Sequence, residues 1–233
     1  MLFSNKFGYL YIHIAKTGGT SIKSALKTLR KRDPLSWPQL LCYNVSGAFD
    51  HKLGVKPPRH TRVVGAKEIL PRELFEQLFK FCLVRNPFDI QVSAYHHMQK
   101  EWPEVLEQNG LTDFASFVRW SLDPERPYSY AVDPLNQRLL DYMSDVDGTF
   151  LMNYVGAFEN LQEDWHFICQ HLGLPKLELP QKRVSKGRSR DFRGYYDTPT
   201  TEVVARHYQR DLDAFGYTFD CKQPSGPRLG LQR

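Results

Sequence analysis

Eighteen residues near the amino terminus constrain this chain more than any other stretch. Tyr9 to Leu26, YLYIHIAKTGGTSIKSAL, reads as a buried strand, a glycine turn, and a helix with hydroxyls at its mouth. Gly18 and Gly19 carry no Cβ, so the backbone can turn tightly there and approach a ligand closely. Thr17, Thr20 and Ser21 set hydroxyls beside the free N–H groups of a first helical turn, where the helix dipole favours an anion. Lys16 adds a positive charge at the strand's end. Together these residues describe a phosphate cradle.

Their order narrows the chemistry. The common nucleoside-triphosphate loop runs G-x-x-x-x-G-K-[ST], with lysine after the glycines and a hydroxyl on magnesium. Here Lys16 precedes the glycine pair, and position 11, five before it, is Tyr11 rather than glycine. No strand ends in an aspartate suited to magnesium. The cradle is therefore read as holding a nucleotide phosphate without a metal, against the plainer alternative of a structural turn.

A second block, Phe79 to Tyr95, FKFCLVRNPFDIQVSAY, repeats the layout. Phe79 to Val84 is a short apolar run suited to a central parallel strand and bounded by Asn86-Pro87. Arg85 stands at its carboxyl end, where open α/β sheets bind ligands. Pro87 suits the start of a helix, and Ser93 follows about two turns on. Arginine offers a planar fork for a phosphate or sulfate, and serine a hydroxyl. Taken alone, Arg85 would read as half of a structural ion pair.

With both blocks in hand, KTGGTS followed by VRNPFDIQVSAY resembles the two donor-binding motifs of sulfotransferases that use 3′-phosphoadenosine 5′-phosphosulfate (PAPS). Within that superfamily the chain is most similar to the bacterial and Golgi carbohydrate-type branch related to heparan sulfate 2-O-sulfotransferase. RHTRVVGAKEILPRELFEQLFKF resembles the linking segment, YVGAFENLQEDWHFICQHLGLP a later strand and helix, and FRGYYDTPTTEVVARHYQRDLDAFGYTF the ending. The likeness runs from Gly8 to Phe219. It implies a P-loop-like three-layer α/β fold with a mostly parallel central sheet flanked by helices. It also implies transfer of a sulfuryl group from PAPS to an acceptor hydroxyl on a carbohydrate or glycoconjugate, with no metal required.

The resemblance carries roles onto particular residues. Lys16 would neutralise charge on the departing phosphate oxygen, with Thr17, Gly18, Gly19, Thr20 and Ser21 around the 5′-phosphate and Arg85 and Ser93 on the 3′-phosphate. Sulfuryl transfer also needs a base for the acceptor proton. Of the eight histidines, His60 matches the histidine of the family's K-H-x-x-A-type segment, and imidazole suits proton abstraction. A surface histidine is the bland reading of His60, and His51 is the second candidate base. His13 is expected to be a packed core histidine, His96 and His97 to face the acceptor side, and Glu159 to be structural or acceptor-lining. Two departures stand out: Arg183-Val184-Ser185 replaces the family's Asn-x-Ser, and Ala15 stands where proline often precedes the lysine. The basic run Lys182, Arg183, Lys186, Arg188, Arg190, Arg193 resembles the loop that closes over the adenosine 3′-phosphate; as a charge run alone it would be solvated.

At 233 residues the chain suits one well-buried domain, here expected over 1–221 with a flexible tail at 222–233. The net charge of +5 and pI near 8.9 favour anionic ligands, while the aromatics do not interleave with Lys and Arg in any RNA-binding signature. Cys42, Cys82, Cys169 and Cys221 form no C-x-x-C pair or zinc spacing, and Cys82 and Cys169 fall in a predicted strand and helix as buried thiols. No run approaches the roughly 18 apolar residues of a membrane helix, and the first strand leaves no room for a signal peptide. A cytoplasmic protein is expected, a luminal domain cut from its anchor being the alternative. Further helices are predicted at Ile90 to Gln99, Phe114 to Ser121, Pro134 to Met143, Leu161 to Leu172 and Thr200 to Phe215, a strand at Tyr154 to Phe158, and long loops near 33–60 and 123–133. A P-loop kinase using a triphosphate and a non-catalytic nucleotide-binding protein remain the competing functional classes.

Overall fold

A computed structural model describes residues 1–34, 36–37, 60–175, 177–180, 189 and 191–221. The described residues form a four-stranded sheet in the order β1 (Leu2–Ser4), β2 (Tyr9–Tyr11), β3 (Phe79–Val84), β4 (Tyr154–Ala157). β1 runs antiparallel to β2, whereas β2–β3 and β3–β4 are parallel. The sheet is mostly parallel and helices flank it, which makes the chain an α/β protein.

Strand composition explains this placement. β2 and β4 are buried at every position and β3 at all but its first, as parallel strands covered on both faces must be. Successive side chains alternate between two apolar clusters. Tyr9, Tyr11, Phe81, Leu83 and Tyr154 pack with Ile22 and Leu26 of α1 (Gly19–Arg30) and with Trp165 and Ile168 of a later helix, Leu161–His171. Leu10, Ile12, Cys82, Val84 and Val155 face the other side. There they meet α2 (Val63–Ile69) and α3 (Arg72–Gln77), which precede β3, and helices that follow it.

The segment after β3 is largely helical: α4 (Pro87–Glu101), α5 (Pro103–Gln108), α6 (Phe114–Ser121), α7 (Asp133–Asn136) and α8 (Leu139–Met143). Beyond β4 come a 3₁₀ turn (Phe158–Asn160), α9 (Leu161–His171), a second 3₁₀ turn (Phe192–Tyr195), α10 (Thr198–His207) and α11 (Gln209–Phe215). No helix among the described residues is long and apolar enough to cross a membrane. Cys82 and Cys169 are buried thiols; Cys42, the loop centred on 38–59 and the tail at 222–233 lie outside the described residues.

Two predicted helices are each divided. The stretch Pro134 to Met143 breaks at Gln137 and Arg138, whose backbones are extended. His207 Nε2 meets the Asn136 carbonyl at 2.9 Å, and the Asp211 carboxylate accepts from Leu139 N at 3.0 Å and Leu140 N at 2.9 Å. Both partners lie far along the chain, and local periodicity carries no trace of them. The stretch Thr200 to Phe215 begins earlier, at a capping box between Asp197 and Thr200, and breaks at Tyr208, whose ring is buried and whose hydroxyl accepts from Gln91 at 3.0 Å.

Burial pushes the Asp211 carboxyl up to about 6, helped by Asp141 and opposed by the two backbone donors and Arg138. An acid raised by folding binds its proton more tightly in the folded state. Its contribution is thus fully present below the ordinary carboxylate value and is lost as pH rises through about 6. Denaturant unfolding across that window should show the wild type losing stability relative to Asp211→Asn as pH rises, by at most about 3 kcal/mol. A difference that stays flat with pH would contradict the assignment.

Candidate functional site

The parallel pairing of β2 with β3 continues past β2, since Ile12 N donates to Phe81 O at 3.0 Å. Both strands therefore open on the same edge of the sheet, and the two sequence blocks meet there. Gly18, at φ 84°, is the N-cap of α1 and supplies no side-chain cap. Its carbonyl accepts from Ser21 N and Ile22 N, and the N–H groups of Gly19 and Thr20 at the helix mouth have no hydrogen-bond partner among the described residues. No acidic side chain occupies the first turn, so the positive end of the dipole is uncompensated by the chain itself.

The three hydroxyls of the cradle do different things. Thr17 is fully buried and donates to Ile14 O at 3.0 Å, holding the turn from inside. Ser21 donates to Pro180 O at 2.8 Å, tying the segment before the basic run onto α1. Thr20 is exposed. Gly19 lies directly against His13: a Cβ there would stand 1.9 Å from the imidazole. His13 is buried, as expected, and its ring lies 4.7 Å from that of His60, whose Nδ1 meets His13 O at 3.0 Å. His60 is thereby placed beside the glycine turn. His51 lies outside the described residues.

Arg85 is buried at the end of β3 and has several partners. Nε and Nη2 donate to Asp89 Oδ2 at 2.8 and 2.6 Å, and Nη1 donates to Lys16 O at 2.9 Å. Its guanidinium lies 4.1 Å above the Phe158 ring, and the same ring closes under Gly18, 3.1 Å from where a Cβ would be. The structural ion pair and the link to the glycine turn thus coexist in one residue. Burial brings the Arg85 guanidinium down to about 10, against the opposing pull of Glu159 and Tyr217; it stays charged at neutral pH.

Both oxygens of Glu159 are bonded within the fold. Its Oε1 accepts from Asn86 N at 2.9 Å and its Oε2 from the Tyr217 hydroxyl at 2.8 Å. Burial raises this carboxyl, with those two donors and Arg85 pulling the other way. Asn86 caps α4 by accepting from Phe88 N, and its amide donates to Thr218 O and Cys221 O. Ser93 is buried on α4, and its hydroxyl has no hydrogen-bond partner among the described residues. His96 meets the Tyr195 hydroxyl at 2.9 Å, and burial lowers its basicity. Arg193 pairs with Asp191; the rest of the basic run falls outside the described residues.

Three contributors escaped the sequence reading. Asp89 had a visible signal, its spacing of four from Arg85 across a helix start. Phe158 and Tyr217 had none, because they reach the site from elements distant in the chain.

Comparison with known proteins agrees with this geometry. A family model described as Sulfotransferase family matches residues 1–218. An uncharacterized protein of Archaeoglobus fulgidus is 26% identical over 112 residues, covering 45% of this chain and 76% of that protein. Carbohydrate sulfotransferase 9 of Homo sapiens is 29% identical over 158 residues, covering 63% of this chain; the chain spans only 32% of the human protein. No solved structure matches the chain.

The contact between Gly19 and His13 yields a test. Gly19→Ala must push the buried imidazole aside, at a cost of about 1–3 kcal/mol, and with it the His60 ring. Thermal melting should fall accordingly, whereas Thr20→Ala, at an exposed position, should melt within about 0.5 kcal/mol of the wild type. Equal melting of Gly19→Ala and wild type would show that the turn is looser than described.

Proposed function

The chain belongs to the sulfotransferase family, and from that premise we propose that it transfers a sulfuryl group from PAPS to a hydroxyl of a carbohydrate, within a P-loop-like arrangement of strand, turn and helix. The observation that carries this reading is the convergence of the two blocks: Arg85, at the end of β3, donates directly to the carbonyl of Lys16, at the end of β2. The carbohydrate acceptor rests on the likeness to the human carbohydrate sulfotransferase.

The residues present suit such a donor. The N–H groups of Gly19 and Thr20 at the mouth of α1 have no hydrogen-bond partner among the described residues, and no acidic side chain stands in that first turn to compete with an anion. Ser93 offers a hydroxyl with no hydrogen-bond partner among the described residues. Adenosine 5′-phosphosulfate chemistry supplies a sulfur atom held to phosphate through an anhydride oxygen, which is the bond that breaks.

In the proposed reaction His60 takes the proton of the acceptor hydroxyl as its oxygen bonds to sulfur. Lys16 and the helix mouth hold the phosphate oxygen that leaves, countering the charge it gains. Arg85 and Ser93 keep the adenosine end in place, so that orientation contributes much of the acceleration. The products are a sulfate ester and adenosine 3′,5′-bisphosphate, and the proton stays on the imidazole until solvent takes it.

The test is release of adenosine 3′,5′-bisphosphate from PAPS over a panel of polysaccharides, with the wild type and two variants. Turnover should appear with at least one glycan. His60→Asn should lower kcat by about a hundredfold or more, with bisphosphate affinity held within about twofold. Lys16→Ala should weaken both turnover and nucleotide binding. Unaltered kcat in His60→Asn would remove His60 from the chemistry. Phosphate transfer from ATP with magnesium, and no use of PAPS, would replace this reading with a kinase.

A further inference from the structure

Among the described residues Lys16 is the only non-glycine with a positive φ, at 63°. A residue with a Cβ is strained in that region, so something outside the turn has to hold it there. Among the contacts on Lys16 is the hydrogen bond that its carbonyl accepts from Arg85 Nη1.

Arg85 can make that bond only if its fork is turned the right way. Asp89 turns it. One oxygen of Asp89 accepts from both Nε and Nη2, on the side of the guanidinium away from Nη1. The carboxylate stands in the first turn of α4, four positions after Arg85, which precedes the Asn86 N-cap. The Phe158 ring covers one face of the guanidinium plane. The pair is well shielded, with side-chain exposures of 6% for Arg85 and 16% for Asp89, which keeps water from competing for the bonds. Three of the five N–H groups of Arg85 are committed in this way. The fork therefore serves the Lys16 side of the site whatever its remaining two groups reach.

We propose that Asp89 is a positioning residue of the donor site, acting through Arg85 to hold Lys16 in its left-handed backbone and so to fix how the lysine leaves the turn. The second phosphate block thereby supports the first, in addition to any contact of its own with the adenosine end. This inference rests on the donor reading given above.

Two nucleotides separate the roles. Adenosine 5′-phosphate lacks the 3′-phosphate, so a defect confined to that phosphate leaves its binding untouched. Calorimetric titration of Asp89→Asn, which leaves the Arg85 guanidinium in place, should show adenosine 5′-phosphate and adenosine 3′,5′-bisphosphate weakened by the same factor, about fivefold or more. Loss of bisphosphate affinity alone, or no loss for either ligand, would overturn the proposal. Wild-type protein that binds neither nucleotide would overturn the donor reading itself and the role of Asp89 with it.

A melting cycle tests the clamp without any ligand. Glycine adopts a positive φ readily, so in a Lys16→Gly background the clamp has less to hold. Asp89→Asn should then lower Tm by less than it does in the wild-type background. An equal drop in both would show that Asp89 stabilises the fold without acting on Lys16, and would sink the proposal.

Discussion

The parallel pairing of β2 with β3 is the constraint on which the site depends. Tyr11 stands opposite Phe81, and the bond from Ile12 N to Phe81 O carries the pairing one step further. Two turns that lie 69 positions apart in the chain, at Lys16 and Arg85, are thereby brought to one edge. Had the strands run antiparallel, the two cationic groups would stand at opposite ends of the sheet. Parallel pairing also explains why both strands read as continuous apolar runs, since helices must cover each face.

What gathers at that edge is costly to hold. Arg85 and Glu159 are charged groups taken out of water, and Lys16 has an unfavourable backbone. Each is compensated locally: Arg85 by Asp89 and the Phe158 ring, Glu159 by Asn86 N and the Tyr217 hydroxyl, Lys16 by the Arg85 bond. A buried ion pair gains stability only when its remaining donors and acceptors are also satisfied, and here the backbone of the other phosphate block satisfies one of them. Strain collected at a turn, held by surrounding structure, is a common property of ligand sites. The arrangement gives the helix mouth a fixed outline before a ligand arrives, which is where preorganised electrostatics has most effect.

Much of the fold could be read from local pattern. β3, α6 and α9 fall where the sequence reading placed them, because burial on both strand faces and on one helix face leaves direct marks in the sequence. The breaks at Gln137 and Tyr208 left no such mark; they are set by Asp211, His207 and Gln91, which arrive from elsewhere in the chain. The same division holds at the site. Lys16, the glycine pair and Arg85 were visible as motifs, whereas Thr17 and Ser21 turned out to donate inward to Ile14 and Pro180, a distinction that composition alone cannot make. His60 was located by likeness to a family segment, and the structure sets it against His13 and so beside Gly19. Phe158 contributes by shape from the 3₁₀ turn after β4, which no spacing rule reaches.

The central claim is that the Lys16–Ser21 turn holds a nucleotide phosphate with backbone N–H groups and a lysine, and without a metal ion. Calorimetric titration of the wild type with adenosine 3′,5′-bisphosphate in the presence of a chelator, set beside ATP with magnesium, tests it most directly. The account predicts about micromolar binding of the bisphosphate that added magnesium does not strengthen, and ATP at least about tenfold weaker. Binding of the bisphosphate only when magnesium is present, or a preference for ATP, would contradict it.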